Sequence, residues 1–257
     1  MWQSATLIFF VYVAGVAALP GRPRPARLGS LYAGVAAGLL FTLGISAPGY
    51  HPILHDWLAP PVALLLAYWT SGLLFVAPRP AQERTLLGLD KRLNILETAQ
   101  RLPASLAMTL ELAYAGVYPM IPLALTLHVL FVPAADPQRF WAVVLITDYV
   151  CFAFLAWVQT RPPRALEPGE PWHSVPRRFN LGMLGATSIQ VNTFPSGHAA
   201  EALASALLVV GAPWPIAVCM LLNAVAISAG AVFGRYHFAA DAIAGWAVAV
   251  AVWMAVG

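Results

Sequence analysis

Charge is what this chain has least of. Only 10% of its 257 residues are Asp, Glu, Lys or Arg, and 60% are apolar. A soluble globular domain carries roughly 25% charged residues. A deficit that runs along the whole length leaves lipid as the solvent for most of the chain. Lysine is nearly missing: among 14 basic residues Lys91 is the only one, and the rest are arginine. Those arginines sit between apolar runs and the net charge is only +3, so the basic balance reflects membrane topology and no nucleic-acid partner is expected. There are two cysteines, Cys151 and Cys219, both inside apolar runs, which excludes a disulfide framework. No internal repeat and no low-complexity tract is present. The alternating short strands of a transmembrane barrel are missing too.

What the chain does have is long apolar runs. A helix needs about 20 apolar residues to cross the hydrocarbon core. The runs predict spans near 3–19, 29–47, 59–77, 104–132, 140–159, 197–212, 214–233 and 238–256. In lipid each backbone polar group must be satisfied within its segment, so the expected fold is all-α. It is a polytopic membrane helix bundle of about eight transmembrane helices, forming one membrane domain over 1–257. The first run, Ser4–Leu19, lacks a basic segment before it and is followed by Arg22, Arg24 and Arg27. It reads as a retained anchor rather than a cleaved signal.

Two connections are long. Pro78–Pro103 places Leu86, Leu89, Leu93 and Leu96 at helical spacing among Arg84, Asp90, Lys91, Glu97 and Arg101. That pattern fits a helix lying in the membrane interface and equally a solvated connector. Thr160–Phe194 is rich in Pro and Arg. Connections after odd-numbered spans hold nearly all the basic residues, and those after even-numbered spans hold only Arg139. Positive-inside reasoning places the basic loops on the cytoplasmic side. The expectation is a multi-pass protein of the plasma membrane.

Four carboxylates, Glu111, Asp148, Glu201 and Asp241, fall within or at the edge of apolar spans. An ionisable group there is costly unless it faces the bundle interior or water, so each is a candidate for function. Asp148 taken alone reads more readily as a helix-packing hydrogen bond. Glu111 shares a helical face with Tyr114 and Tyr118, which suggests a polar interior seam.

Three segments at predicted membrane boundaries carry the chemistry. Thr160-Arg161-Pro162-Pro163-Arg164 closes the fifth span, Phe194-Pro195-Ser196-Gly197-His198 opens the sixth, and Gly234-Arg235-Tyr236-His237-Phe238-Ala239-Ala240-Asp241 joins the seventh to the eighth. The first two flank one loop, and the second and third are two crossings apart, so all three can converge on one pocket. Arg161, Arg164 and Arg235 offer planar forks of N–H donors that match phosphate oxygens. The amides of Ser196, Gly197 and His198 start a helix, where the dipole and unpaired N–H groups favour an anion. His237 and Asp241 are four apart, hence on one helical face, where a carboxylate can hold an imidazole in one tautomer and stabilise its charged form. With His198 as a second imidazole, one histidine can act as nucleophile and the other as general acid. Each fragment alone is commonplace: an interfacial histidine, a positive loop, a helix cap. Their joint occurrence favours a phosphate site.

These residues resemble the type 2 phosphatidic acid phosphatase superfamily, which includes lipid phosphatases and lipid phosphotransferases. Arg161-Pro162 is similar to its first motif and Pro195-Ser196-Gly197-His198 to its second. Arg235, His237 and Asp241, followed by Ala242-Ile243-Ala244-Gly245-Trp246, are similar to its third. The likeness covers roughly 59–257, a six-helix core, with residues 1–58 as added N-terminal helices. Two features depart from the usual pattern. Phe154 stands where the first motif carries a lysine, and Tyr236 alone separates Arg235 from His237. Both look more like the branch containing inositol phosphorylceramide synthases, with Arg164 as the substitute for the lysine. The resemblance implies His237 as nucleophile, Asp241 as its orienting partner and His198 as acid. It implies Arg161, Arg164, Ser196, Gly197 and Arg235 as phosphate ligands, and neither metal nor cofactor.

The leading expectation is a phosphatase that hydrolyses a lipid phosphate or diphosphate through a phosphohistidine, with membrane lipids as its partners. The alternative is a phosphotransferase to a lipid acceptor. A transporter would need polar residues spread through the midplane. An intramembrane hydrolase built on Ser196 would leave the arginines without a purpose. Two histidines and an aspartate on separate boundaries match no metal-ligand spacing.

Overall fold

The computed structural model describes residues 1–19, 25–46 and 53–256, so Arg22 and Arg24 lie outside the described residues. Within them the regular secondary structure is helical apart from one isolated bridge between Thr160 and Asn192. In chain order the helices are α1 (Trp2–Ala17), α2 (Pro25–Ile45), α3 (Ala59–Gly72), α4 (Pro80–Arg92), α5 (Ile95–Gln100), α6 (Ala104–Ala115), α7 (Val117–Phe131), α8 (Pro137–Ala153), α9 (Val175–Thr187), α10 (Gly197–Leu207), α11 (Trp214–Phe233) and α12 (Ala239–Val256). Many large apolar side chains point outward, among them Ile8, Leu40, Trp214 and Met254. A surface of that kind suits a lipid environment.

Helix α8 forms the axis. Asp136 caps it by accepting from the Gln138 amide at 2.9 Å, with Pro137 in the first turn, where a missing N–H costs nothing. Phe140 to Leu145 are all fully buried. Helices α1 and α3 pack on one side of α8 and α10 and α12 on the other, while α10 also meets α7 and α11. Helix α10 is rich in small residues, and Ala199, Ala200, Ala202, Ala204 and Ala206 are buried. Small residues let backbones approach closely where lipid removes the hydrophobic drive for association. Gly245 of α12 shows how closely: a Cβ there would lie 2.6 Å from the Ser196 carbonyl oxygen.

Four helices among the described residues are long and apolar enough to cross a membrane: Arg27–Ile45, Pro137–Ala156, Trp214–Phe233 and Ala239–Val256. The run predicted over 104–132 is two helices, α6 and α7, bent by 65° at Gly116; taken together they make a fifth span. Pro119 and Pro122 lie just beyond the bend and have no N–H for the preceding turn. The other three predicted spans are shorter as helices. Helix α1 has 16 residues, α3 has 14 and α10 has 11. At 1.5 Å per residue these reach about 24, 21 and 17 Å, against about 30 Å of hydrocarbon.

The connection over 78–103 is helical, but its buried side is not the leucine stripe. Glu83, Leu86 and Asp90 face inward on α4, and Leu89 and Leu93 are exposed. The two acids turn inward because motif arginines wait for them there.

Candidate active site

Backbone hydrogen bonds tie the three motif segments together pairwise. The Asn192 amide donates to the Thr160 carbonyl at 3.0 Å, and the Asn192 side chain donates to the Thr160 hydroxyl at 3.1 Å. The Ser196 amide donates to the Asp241 carbonyl at 2.9 Å, and the Arg164 amide to the Arg235 carbonyl at 3.2 Å. Segments far apart in sequence are thereby held at one end of the α8–α10–α12 core.

His237 is presented by a tight exit from α11. The Arg235 amide donates to the Val232 carbonyl at 3.0 Å and the Tyr236 amide to the Ala231 carbonyl at 2.9 Å. This is the helix C-terminal cap normally built on glycine. Here Arg235 takes the left-handed conformation, φ 62°, which a side chain with a Cβ adopts at a cost. Two ion pairs offset that cost. Arg235 donates to Asp90 Oδ2 at 2.8 Å and to Glu167 Oε2 at 2.7 Å, with its side chain 2% exposed. Asp90 also accepts from the Ala239 amide at 3.0 Å, at the start of α12. Arg235 thus faces acidic residues rather than the cavity.

Arg161 is held in the same manner. Its Nε and backbone N donate to Glu83 Oε1 and a terminal nitrogen donates to Glu83 Oε2, each at 2.9 Å. This bidentate pair draws the Glu83 carboxyl below its ordinary value. The Arg161 side chain remains 48% exposed, and it is absent from the walls of the central cavity described next.

A cavity of about 540 Å³ opens against His198, His237, Asp148, Glu201, Arg164 and Gly197. Its remaining walls are aromatic and aliphatic, including Trp57, Trp69, Tyr68, Tyr118, Leu65 and Ile121. The His198 and His237 ring centroids are 5.8 Å apart. His237 Nδ1 lies 3.4 Å from Asp241 Oδ2, and that same oxygen accepts from the Phe238 amide at 2.9 Å. Loose geometry of this order is usual before a substrate tightens a site. With Nδ1 turned to Asp241, Nε2 is the nitrogen left for a substrate. Burial, and then the positive charge of Arg164, push the His237 imidazole down to about 3, so it is neutral and carries a lone pair at neutral pH.

Arg164 is the motif arginine that lines the cavity. Its guanidinium sits 5.5 Å from the Tyr236 ring centroid and 3.4 Å from the Tyr236 carbonyl oxygen, and burial pushes its value down. Ser196 is fully buried; its hydroxyl accepts from the Ala199 amide at 3.3 Å and its own amide is bonded to Asp241. The next amides, of Gly197 and His198, begin the helix and have no intrahelical carbonyl to reach. Of the residues proposed for phosphate, Arg164 and Gly197 therefore border the cavity with the two histidines, whereas Arg161, Arg235 and Ser196 are engaged around it.

Behind the site lies a polar cluster centred on Glu111. It accepts from Trp172 Nε1 at 2.8 Å, Arg177 at 3.1 Å, the Asn180 side chain at 2.7 Å and the Tyr236 hydroxyl at 2.7 Å. Tyr114 stacks on Tyr236 at 4.1 Å and lies 5.4 Å from His198. Sequence reading had a signal for the Glu111–Tyr114 seam in their helical spacing. It had none for Arg177, one arginine of a Pro-rich loop.

No curated protein and no solved structure matches this chain. A family model described as the PAP2 superfamily matches residues 83–255, which take in all three motif segments, and the chain belongs to that superfamily.

Proposed function

We propose that this protein is a membrane-embedded, metal-independent phosphatase that hydrolyses a lipid phosphate or diphosphate through a phosphohistidine. Superfamily membership supports phosphatase- or phosphotransferase-type chemistry. The observation that carries the finer reading is the facing pair of histidines, 5.8 Å apart on one cavity, with Asp241 behind His237 and Arg164 beside it.

In this reading the His237 Nε2 lone pair attacks phosphorus while the P–O bond to the lipid breaks. The electron pair goes to the departing oxygen, and a protonated His198 supplies the proton that makes it an alcohol, or a lipid phosphate where the substrate is a diphosphate. A bound phosphate anion raises the proton affinity of His198 for that purpose. Asp241 stabilises the charge gained by the His237 ring. Arg164 and the Gly197 and His198 amides stabilise the charge on the equatorial oxygens. Water then attacks phosphorus and gives its proton to the now neutral His198, and the P–N bond breaks to return His237 and free phosphate. Arg161, Arg235 and Ser196 act as positioning residues. The four to five apolar spans make an integral membrane protein. The plasma membrane, the added role of residues 1–58 and the catalytic core over 59–257 belong to the same proposal.

The second reading is transfer to a lipid alcohol in place of water. Its specific support is the single residue between Arg235 and His237, a spacing that resembles the inositol phosphorylceramide synthase-like branch.

The test is phosphate release from purified lipid phosphates and diphosphates, with His237→Ala as the blank. The expected result is a loss of about ten-thousand-fold or more, with a phosphohistidine trapped on the unmodified protein by acid-free quenching. A fully active His237→Ala protein ends the reading. Label appearing in a new lipid instead of free phosphate selects transfer.

A further inference from the structure

The same cavity holds two carboxylates that the mechanism above does not use. Asp148 of α8 and Glu201 of α10 both line it. Asp148 is 1% exposed and its Oδ2 has no hydrogen-bond partner. Neither residue has a basic side chain within ion-pair distance among the described residues. Unpaired carboxylates in a low-dielectric interior are costly, and the fold provides nothing to offset them. The contrast with Glu111, which has four donors, is direct.

Their location is specific. A Cβ on Gly197 would sit 3.3 Å from Asp148 Oδ1, so the aspartate lies against the first residue of α10. Glu201 follows His198 by three residues, on the same face, about 4.5 Å along α10 at 1.5 Å per residue. A phosphate held between His198, His237 and Arg164 would have Asp148 beside it at the Gly197 end of α10 and Glu201 about one turn further along the helix.

We propose that Asp148 and Glu201 form a subsite for the primary ammonium of a phosphoethanolamine-type headgroup, a proposal that rests on the reading of this cavity as the phosphate site and makes the lipid bound there a phosphodiester, the donor class of the transfer reading. Three features select that ligand. An ammonium brings the missing positive charge and three N–H donors for unpartnered oxygens, whereas a hydroxyl brings one donor and leaves the charge uncompensated. Arg164 at the phosphate and two carboxylates beyond it form the complement of a zwitterion. Tyr68 and Tyr118 stand on the same cavity wall, and aromatic rings are favourable neighbours for a cation. A divalent metal is disfavoured because no group of three His, Cys, Asp or Glu residues in ligand arrangement occurs among the described residues.

The experiment is a binding titration on the full chain in nanodiscs, carried in a His237→Ala background so that no lipid is consumed. Tryptophan fluorescence is the readout, because Trp57, Trp69 and Trp141 line the cavity. The probes are short-chain phosphatidylethanolamine and phosphatidylglycerol, which share the phosphodiester and differ in ammonium against hydroxyl. Soluble phosphoethanolamine separates headgroup recognition from tail binding. The expected result is about tenfold or tighter binding of the amine lipid, from charge-assisted hydrogen bonds. Asp148→Asn with Glu201→Gln should reduce the preference to about twofold or less and leave phosphatidylglycerol affinity unchanged. Equal affinities, a preference for phosphatidylglycerol, or a preference that survives the double substitution would overturn the subsite. The first two of these need no carboxylate variant, so misfolding of the double variant cannot shield the proposal. Phosphate release from phosphatidate by the unmodified protein is scored separately. Its absence with amine selectivity present counts against the phosphatase alone, and the converse counts against the subsite alone.

Discussion

Arg164 and Arg235 stand on loops joined by a backbone hydrogen bond, yet they meet opposite surroundings. Arg235 is enclosed by Asp90 and Glu167, and its charge is spent on holding a left-handed turn. Arg164 faces a cavity with two histidines, and its guanidinium rests on the ring and carbonyl of Tyr236 rather than on a carboxylate. A guanidinium with a dedicated acid is part of the frame; one desolvated beside a cavity without such an acid is ready for an anion. Helix α4 draws this division. By turning Glu83 and Asp90 inward it engages Arg161 and Arg235 in ion pairs and leaves Arg164 facing the cavity.

The sharpest way to break that comparison is to remove each arginine in turn. Arg164→Ala should lower kcat/KM by about 100- to 1000-fold, the usual loss for one stabiliser of transition-state charge, with Tm little changed. Arg235→Ala should do the reverse. It leaves Asp90 and Glu167 without their shared cation, a loss of about 3–5 kcal/mol for a broken buried pair, read as a lower Tm of the detergent-solubilised protein. An Arg235→Ala protein with native Tm and a selectively weakened affinity for phosphate would place Arg235 on the cavity side instead.

A pH profile sharpens the same contrast at lower amplitude. A protonated His237 has no Nε2 lone pair, so the acid limb of kcat/KM lies where pH drops through its value, while loss of the His198 proton sets the opposite limb. Burial and Arg164 hold that value at about 3. The unmodified protein should therefore show no fall in kcat/KM from pH 7 down to pH 5, once corrected for ionisation of the substrate. Removing the Arg164 charge should move the acid limb upward. Arg235→Lys should leave the limb in place. An acid limb near pH 6.5 in the unmodified protein would mean that the ring is solvated rather than buried.

Much of this was legible in the sequence. The scarcity of charge fixes a helical membrane fold, and the three motif segments can be seen to share a side because each closes or opens an apolar run. Helix lengths were not legible. Hydropathy registers an apolar run but not the break at Gly116, and it treats 197–212 as a span although α10 is only 11 residues long. Nor was the division among the arginines. On α4 the leucine spacing points to a helix in the membrane interface or a solvated connector, and neither reading foresees that Glu83 and Asp90 are buried while Leu89 and Leu93 are exposed. The reason is long-range: their partners are 78 and 145 residues away, and no local pattern encodes that pairing. Asp148 read alone as a packing residue. Its unpartnered oxygen becomes significant only when α8 and α10 are seen together.

Arg161 gives the smallest expected effect and the closest contest. Resemblance makes it a phosphate ligand, while the geometry gives it to Glu83 through a backbone and a bidentate side-chain contact. The pair is half-exposed on the arginine side, so water competes with both partners and little stability rests on it. Arg161→Ala should therefore leave Tm nearly unchanged and kcat/KM within about threefold, the scale of an exposed ion pair. Glu83→Gln separates the two roles. If Arg161 only anchors the loop to α4, both substitutions should give the same small loss, and the double substitution should add nothing further. If Glu83 instead holds Arg161 back from phosphate, Glu83→Gln should tighten KM while Arg161→Ala weakens it. Kinetics of opposite sign in the two variants would move Arg161 to the side of Arg164 and confine the structural role to Arg235.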